Sequence, residues 1–463
     1  MVDPASRGYD AAVYDADTIA AIATPAGIGA VAIVRVSGPR AIAIAKTIFA
    51  GFPSTGLESH RLYVGRVTDT DGAVLDRGLA VVMRSPHSYT GEDVVELQVH
   101  GSPVVARAVL ELTFRHGARA ARSGEFTMRA FLNGKIDLAQ AESVADLVAA
   151  STPAAARAAA LQLDGSLSRA VEEILDVLVG TAAELEASLD FAEEDVGDID
   201  VEEIARRLEA QAVRCRDLAS TSRRGRLLRH GARVAIVGKP NVGKSSLLNR
   251  LLLSDRAIVT PIAGTTRDAL EEAAEIDGIP VVVVDTAGLR PTADEVEREG
   301  VRRTREQIGI ADLVLLVVDA STGLDAVDRD VLEAVTGTPF LVVANKIDLG
   351  RAASSNGHRP AVYTSARTGE GIAELRREIT REVGGGQADF GGLAVLRERH
   401  RSALEAAAAA LDVASRSLEE GGTADVIAVD VNLAIGALSE ILGRVPSAED
   451  VLHRIFGEFC IGK

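Results

Sequence analysis

Apolar and polar positions alternate along this chain with two different periods, and the period changes by region. From about residue 17 to 130, short apolar runs repeat at a strand-like spacing: "TIAAIAT", "AVAIVRVS", "HRLYVGRV", "GLAVVMRS" and "VVELQVH". Short helical patterns separate them, and "TDTDGA" supplies a hairpin turn between the third and fourth runs, so this part reads as an α+β domain. From about Asp137 to Ser222 the pattern becomes long Ala/Leu/Glu stretches with scarcely a breaker, and the same texture returns from about Leu393 to the end. Between these helical blocks, the strand runs "RVAIVG", "IPVVVVDTAG", "ADLVLLVVD" and "TPFLVVANK" alternate with helical stretches, as in a doubly wound parallel sheet. The simplest organisation is a helical domain split by an α/β insertion, with the Gly-rich "VGGGQADFGG" as return linker. The expected boundaries are 1–133 for the α+β domain, 134–230 and 386–463 for the two helical parts, and 231–385 for the insertion.

Composition narrows the class. A chain of 463 residues holds about three domains of usual size. With 47% hydrophobic and 25% charged residues it is too apolar for general disorder. No stretch reaches the roughly 18 uninterrupted apolar residues of a spanning helix, and the acidic start "MVDPASRGYDAAVYDADT" is unlike a signal peptide. A cytoplasmic protein is expected. Cys215 and Cys460 are the only cysteines, which excludes a disulfide framework or a Cys-rich metal site. Cys460 stands fourth from the last residue, the spacing of a prenylation box, but that box ends in Lys463 and no polybasic run precedes it, so no lipid anchor is expected. A net charge of −17 argues against a nucleic-acid partner, yet Arg223, Arg224, Arg226, Arg229 and Arg233 crowd into "RRGRLLRHGAR". Such a run is usually a solvated helix face, although it could also hold a phosphate backbone locally.

The insertion carries the strongest chemistry. "GKPNVGKS", residues 238–245, follows the strand "RVAIV" and precedes the helix "SLLNRLL", which is both the spacing and the context of a phosphate loop. Its glycines let backbone N–H groups face phosphates, Lys244 reaches the β and γ phosphates, and Ser245 ligates magnesium. "DTAG" at 285–288 places Asp285 to hold the magnesium shell and Gly288 to offer its N–H to the γ phosphate. In "NKID", Asp348 can accept two hydrogen bonds from guanine while Asn345 braces the loop, and the backbone of "TSAR" at 364–367 can donate to the guanine carbonyl. In order and spacing these elements resemble the Ras-like P-loop GTPase superfamily, which implies GTP rather than ATP. Where many small GTPases carry a water-orienting Gln, this chain has Leu289, which cannot hydrogen-bond water. Glu295, Glu297 and Glu299 follow in "DEVEREG", and each taken singly reads as a surface acid.

A narrower resemblance covers about Asp17 to Lys463. "NVGKSSLLNRLL", "AIVTPIAGTTRD", "DTAGLR" with "DEVEREG", the split helical frame and the terminal "CIGK" together resemble the MnmE (TrmE) family of tRNA modification GTPases. The resemblance implies that GTPase domains pair across a homodimer around potassium, which neutralises charge as an arginine finger would. Asn241 matches the phosphate-loop potassium ligand, with Thr260, Ile262 and Thr265 supplying the rest, and Thr266 matches a second magnesium-linked position. Glu297 aligns with the acid that orients the water. The implied nucleotide contacts run through Asn241, Val242, Gly243, Lys244, Ser245 and Ser246, and then Thr260, Pro261, Ile262, Ala263, Gly264, Thr265 and Thr266. They continue with Asp285, Thr286, Ala287 and Gly288, with Asn345, Lys346 and Asp348, and with Ser365, Ala366 and Arg367.

For the N-terminal domain the resemblance implies a folate-binding fold that takes 5-formyltetrahydrofolate. Arg35, Glu96 and Lys135 match its positions, with Cys460 and Lys463 brought near by the tail. Without the family each charged residue reads as a surface ion pair, and Cys460 either reacts as nucleophile or proton donor or merely packs. The chain departs from the family's "PPGRGG" with "PAGIGA", and Ala26, Ile28 and Ala30 are expected to narrow that loop. The function implied is a GTP hydrolase acting with a flavoprotein partner, a MnmG (GidA)-like FAD-dependent protein, to install a carboxymethylaminomethyl-type group on carbon 5 of the wobble uridine of certain tRNAs. The alternatives are an Era/Der-like ribosome-assembly GTPase and a nucleotide-gated scaffold without modification chemistry.

Overall fold

The computed structural model describes residues 17–190, 200–253, 271–285, 309–322, 328, 337–351, 362–384, 392–444 and 449–463. The chain divides into two compact units: Met1–Ala145 with Gln162–Arg216 and Ala403–Lys463, and Asp146–Leu161 with Asp217–Ser402.

The first unit contains a seven-stranded sheet of β1 (Ile19–Ile22), β2 (Val31–Ser37), β3 (Phe49–Ala50), β4 (Leu62–Thr68), β5 (Val74–Met83), β6 (Val94–His100) and β7 (Arg119–Ala120). Their order is β3-β4-β5-β6-β2-β1-β7, antiparallel except where β1 meets β7. The "TDTDGA" stretch makes the β4–β5 turn, closed by Asp69 N–H donating to Ala73 O at 2.8 Å. Strand alternation decides which side chains face the core. Ala32, Val34 and Val36 of β2 pack with Ala80, Val82 and Leu97 against the helices Ala41–Ile48 and Pro103–Arg115. Arg35 therefore lies on the opposite face of the sheet, directly across from Glu96 in the β2–β6 register.

The helical part of this unit reads as its periodicity predicts. Ser166–Asp190 buries Val171, Ile174, Leu178 and Leu185, and packs along Ala424–Leu442, which buries Ile427, Val431, Leu438 and Ile441. Cys215, on Val201–Ser220, is fully buried, and burial pushes its thiol up to about 11, an inert packing role. The last helix, Glu449–Gly457, sets Leu452, Ile455, Phe456 and the following Phe459 against Met128, Phe131 and Leu138.

The second unit holds a six-stranded sheet of β8 (Ala232–Val237), β9 (Glu271–Ile276), β10 (Ile279–Asp285), β11 (Leu313–Asp319), β12 (Phe340–Asn345) and β13 (Val362–Tyr363), ordered β13-β12-β11-β8-β10-β9. The expected parallel sheet holds for five strands, whereas the edge strand β9 pairs antiparallel with β10. Asp277 and Gly278, both at positive φ (49° and 87°), form the two-residue turn between them, so "IDGI" was a hairpin signal. It is hidden by the acid-rich "EEAAEI" before it. Helices Lys244–Leu253 and Ile372–Val383 bury Leu247, Leu251, Leu375 and Ile379 against Val234, Ile236, Val281 and Leu315. The chain leaves β8 toward β10 on one side while β11 flanks the other, and this switch opens a crevice at the carboxyl ends of the strands.

Candidate functional site

Four segments meet at that carboxyl edge. The first, 238–243, runs from β8 into the helix beginning at Lys244. Three of its residues have positive φ: Gly238 at 145°, Asn241 at 66° and Gly243 at 93°. Asn tolerates that region better than most residues, but Gly243 has no substitute, because a Cβ there would strike Asn345 Nδ2. Lys244 is buried and its ammonium donates to Gly238 O at 2.7 Å and Lys239 O at 2.8 Å, so the loop wraps around its own lysine. Ser245 and Ser246 open the helix at its exposed N-terminal turn.

The second and third segments follow β12 and β13. Asn345 is fully buried and links three elements: Nδ2 donates to Val242 O at 2.9 Å, and Oδ1 accepts from Ala366 N–H at 3.0 Å. The phosphate-loop segment and both post-strand loops are thereby locked together through one amide. Ser365, also fully buried, donates to Asp348 Oδ1 at 2.6 Å while Arg367 Nε lies 3.4 Å from Oδ2. The Ser365 hydrogen bond holds the Asp348 carboxyl below the usual carboxylate range, so it is an acceptor at neutral pH. Lys346, at φ 66°, pairs with Asp319 at the end of β11. The fourth segment is the end of β10, where Asp285 stands in register with Ile236 beside the start of the loop.

Thr260, Pro261, Ile262, Ala263, Gly264, Thr265, Thr266, Thr286, Ala287, Gly288 and Glu297 lie outside the described residues. Sequence reasoning did not single out Asp319, although the end of an apolar strand followed by "AST" is where a polar cap belongs. Three of the five arginines in the run make internal ties: Arg226 pairs with Asp312 at 2.6 Å, Arg229 with Asp146 at 2.8 Å, and Arg224 donates to Leu393 O.

In the first unit, Arg35 Nε donates to Glu96 Oε1 at 2.8 Å, and its guanidinium lies 5.5 Å from the Tyr89 ring centroid and 5.6 Å from that of Phe126. Its Nη1 donates to Gly462 O at 3.3 Å, which brings the chain's tail to this cluster. Ile461 bridges Ser123, and Gly462, at φ 98°, leaves no room for a Cβ against Ile22 O. Cys460 is exposed, and Lys463 N–H donates back to Cys460 O. Lys135 is exposed and gives its ammonium to Pro86 O at 3.0 Å. A second charge cluster escaped sequence reasoning: Arg119 and Arg129 are shared among Asp17, Glu92 and Glu125. The i, i+4 spacing of Glu125 and Arg129 was its one local signal. Burial alone would raise the Glu125 carboxyl, but Arg119 and Arg129 hold it below the usual range.

Among the described residues no group of three or more His, Cys, Asp or Glu forms a metal cluster, and no helix is long and apolar enough to cross a membrane. Comparison with known families matches residues 18–135 to the GTP-binding protein TrmE N-terminus and residues 138–460 to the MnmE helical domain. Among curated relatives, the tRNA modification GTPase MnmE of Moorella thermoacetica is 47% identical over 464 residues, covering 96% of this chain and 99% of that one. That of Symbiobacterium thermophilum is 46% identical over 457 residues, covering 96% and 99%. The solved structure of Aquifex aeolicus Era is 28% identical, with a TM-score of 0.26, over 39% of this chain and 66% of that one.

Proposed function

The chain belongs to the MnmE (TrmE) family of tRNA modification GTPases, and from that premise we propose that its GTP hydrolysis is potassium-activated and serves modification of the tRNA wobble uridine. The observation that carries the guanine-nucleotide reading is the Asn345 amide, which joins the phosphate-loop segment to the loops holding Asp348 and Ala366. A triphosphate bound along this edge meets Lys244 and the backbone N–H groups at a helix N-terminus at one end, and the Asp348 carboxylate at the other. Magnesium, in this proposal, is held by the hydroxyls of Ser245 and Thr266, with Asp285 in its outer shell, hard oxygen donors of the kind this ion takes. Potassium, in this proposal, is held by Asn241 with Thr260, Ile262 and Thr265 when two GTPase domains meet, and supplies positive charge to the phosphates. The exposed, left-handed Asn241 is compatible with such a ligand. Glu297 orients the attacking water in place of the Gln that Leu289 replaces.

The N-terminal part is assigned, on the same footing, to dimerisation and to 5-formyltetrahydrofolate. Arg35 would pair with the folate's carboxylates and Glu96 accept from the pterin amino edge, with Lys135 and Lys463 as further cations. The rings of Tyr89 and Phe126 back the Arg35 guanidinium, and the docked tail leaves the Cys460 thiol exposed on the same unit. The protein is cytoplasmic and homodimeric in this reading, has the four-part division 1–133, 134–230, 231–385 and 386–463, and works with a MnmG (GidA)-like FAD-dependent partner to leave a carboxymethylaminomethyl-type group on carbon 5. Comparing wobble nucleosides from cells with and without the gene tests it: the modified uridine disappears from the deleted strain, and an unchanged nucleoside profile would overturn the assignment.

A further inference from the structure

Lys346 lies between Asn345, which braces the pocket, and Asp348, which reads the base, and its ammonium is not free. Nζ sits 2.8 Å from Asp319 Oδ2. Asp319 ends β11 in direct register with Asn345 at the end of β12, and Ala320 N–H donates to Asn345 O at 2.7 Å, so the two strand ends are tied at the carboxyl edge. The other carboxylate oxygen is fixed as well. Oδ1 accepts from Ser321 Oγ at 2.6 Å and from Ser321 N–H at 3.0 Å, which leaves Oδ2 aimed at the lysine. Burial pushes the Asp319 carboxyl up, but Lys346 and Ser321 outweigh it and hold the group below its usual range.

A partly exposed ion pair adds little to stability, so the consequence of this one lies in where it puts a long side chain. A lysine has a flexible four-carbon stem, and a ligand that packs on it must first restrict its rotamers. We propose that Asp319 is a positioning residue for nucleotide binding, holding the Lys346 ammonium so that the stem is laid along the base side of the pocket before the nucleotide arrives. This rests on the guanine-nucleotide reading above. Restricting the stem in advance removes an ordering cost from binding. The contribution is to base and ribose, which GDP and GTP share, so it acts equally on both and not on phosphate cleavage.

Fluorescent GDP and a non-hydrolysable GTP analogue are titrated into the full chain, wild type and variants, alongside steady-state hydrolysis and thermal melts. Asp319→Ala is expected to weaken both nucleotides by about tenfold and raise KM by the same factor, with kcat changed less than about twofold. Asp319→Glu, which restores the charge, is expected to recover most of the loss. In a Lys346→Ala background, Asp319→Ala has no further effect, since there is no ammonium left to position. Full additivity of the two losses, or a fall in kcat alone, overturns the proposal while the nucleotide reading stands. Absence of guanine-nucleotide binding by the wild type overturns both.

Discussion

The crevice at the carboxyl edge of the β8–β13 sheet and the Arg35 cluster of the β1–β7 sheet are built by different means. In the crevice, function depends on backbone: three positive-φ residues between β8 and its helix, and a buried asparagine that fits only because Gly243 has no side chain. Around Arg35 the backbone is regular strand, and the arrangement comes from side chains made neighbours by register, ring contacts and a docked tail. A backbone-built site tolerates almost no change at a few positions, whereas a side-chain-built site loses affinity by degrees.

Gly243→Val should break the first site outright. A branched side chain at φ 93° that also strikes Asn345 is expected to lower GTP affinity by roughly 10³-fold or more, with little loss of fold because the change lies in a loop. Nucleotide titration and circular dichroism together check this. Asp348→Asn should change preference rather than abolish binding. GTP weakens by on the order of 10²-fold while xanthosine triphosphate gains, since an amide donates where xanthine offers a carbonyl. Unchanged preference in competition binding would remove Asp348 as the reader.

Potassium sharpens the same comparison at a site where side-chain chemistry and backbone meet. Hydrolysis in potassium should exceed that in sodium by about 10- to 100-fold at constant ionic strength, and Asn241→Ala should erase the difference while nucleotide still binds. Equal rates in the two salts for wild type would end the potassium mechanism. At the second site, Arg35→Ala should weaken 5-formyltetrahydrofolate by about tenfold in calorimetry and leave GTP hydrolysis within error. Retained affinity would mean that the cluster is structural.

The smallest effect on activity is expected from Glu125, which neither site uses. Its carboxylate is held below its ordinary value near 4.5 by Arg119 and Arg129, so its contribution is complete above that pH and is lost as pH falls through the depressed value. Glu125→Gln should therefore lower the thermal midpoint at pH 7 by about 4 °C or more, and the gap from wild type should narrow as the pH falls below 4.5. A gap that persists in acid would assign the loss to packing rather than charge.

The nucleotide crevice was legible in the chain because each of its parts is a short contiguous run with its own geometric demand: "GKPNVGKS" needs positive φ, and "NKID" and "TSAR" each follow an apolar strand. Local sequence likewise determined the helical blocks and most strands, since period-2 and period-3.6 apolar spacing is a property of neighbouring residues. What it could not determine depends on residues far apart. The β2–β6 register that sets Arg35 opposite Glu96 spans 61 positions, and the tail carbonyl that reaches Arg35 comes from 427 positions away. Three arginines of the run, Arg224, Arg226 and Arg229, found their partners in Leu393, Asp312 and Asp146, none of them within the run. Asp319 acquired its partner only when β11 and β12 were laid side by side. Spacing along the chain encodes local conformation and the motifs made from it, while the pairing of charges depends on which strands and helices become neighbours, and that is settled by packing of the whole core.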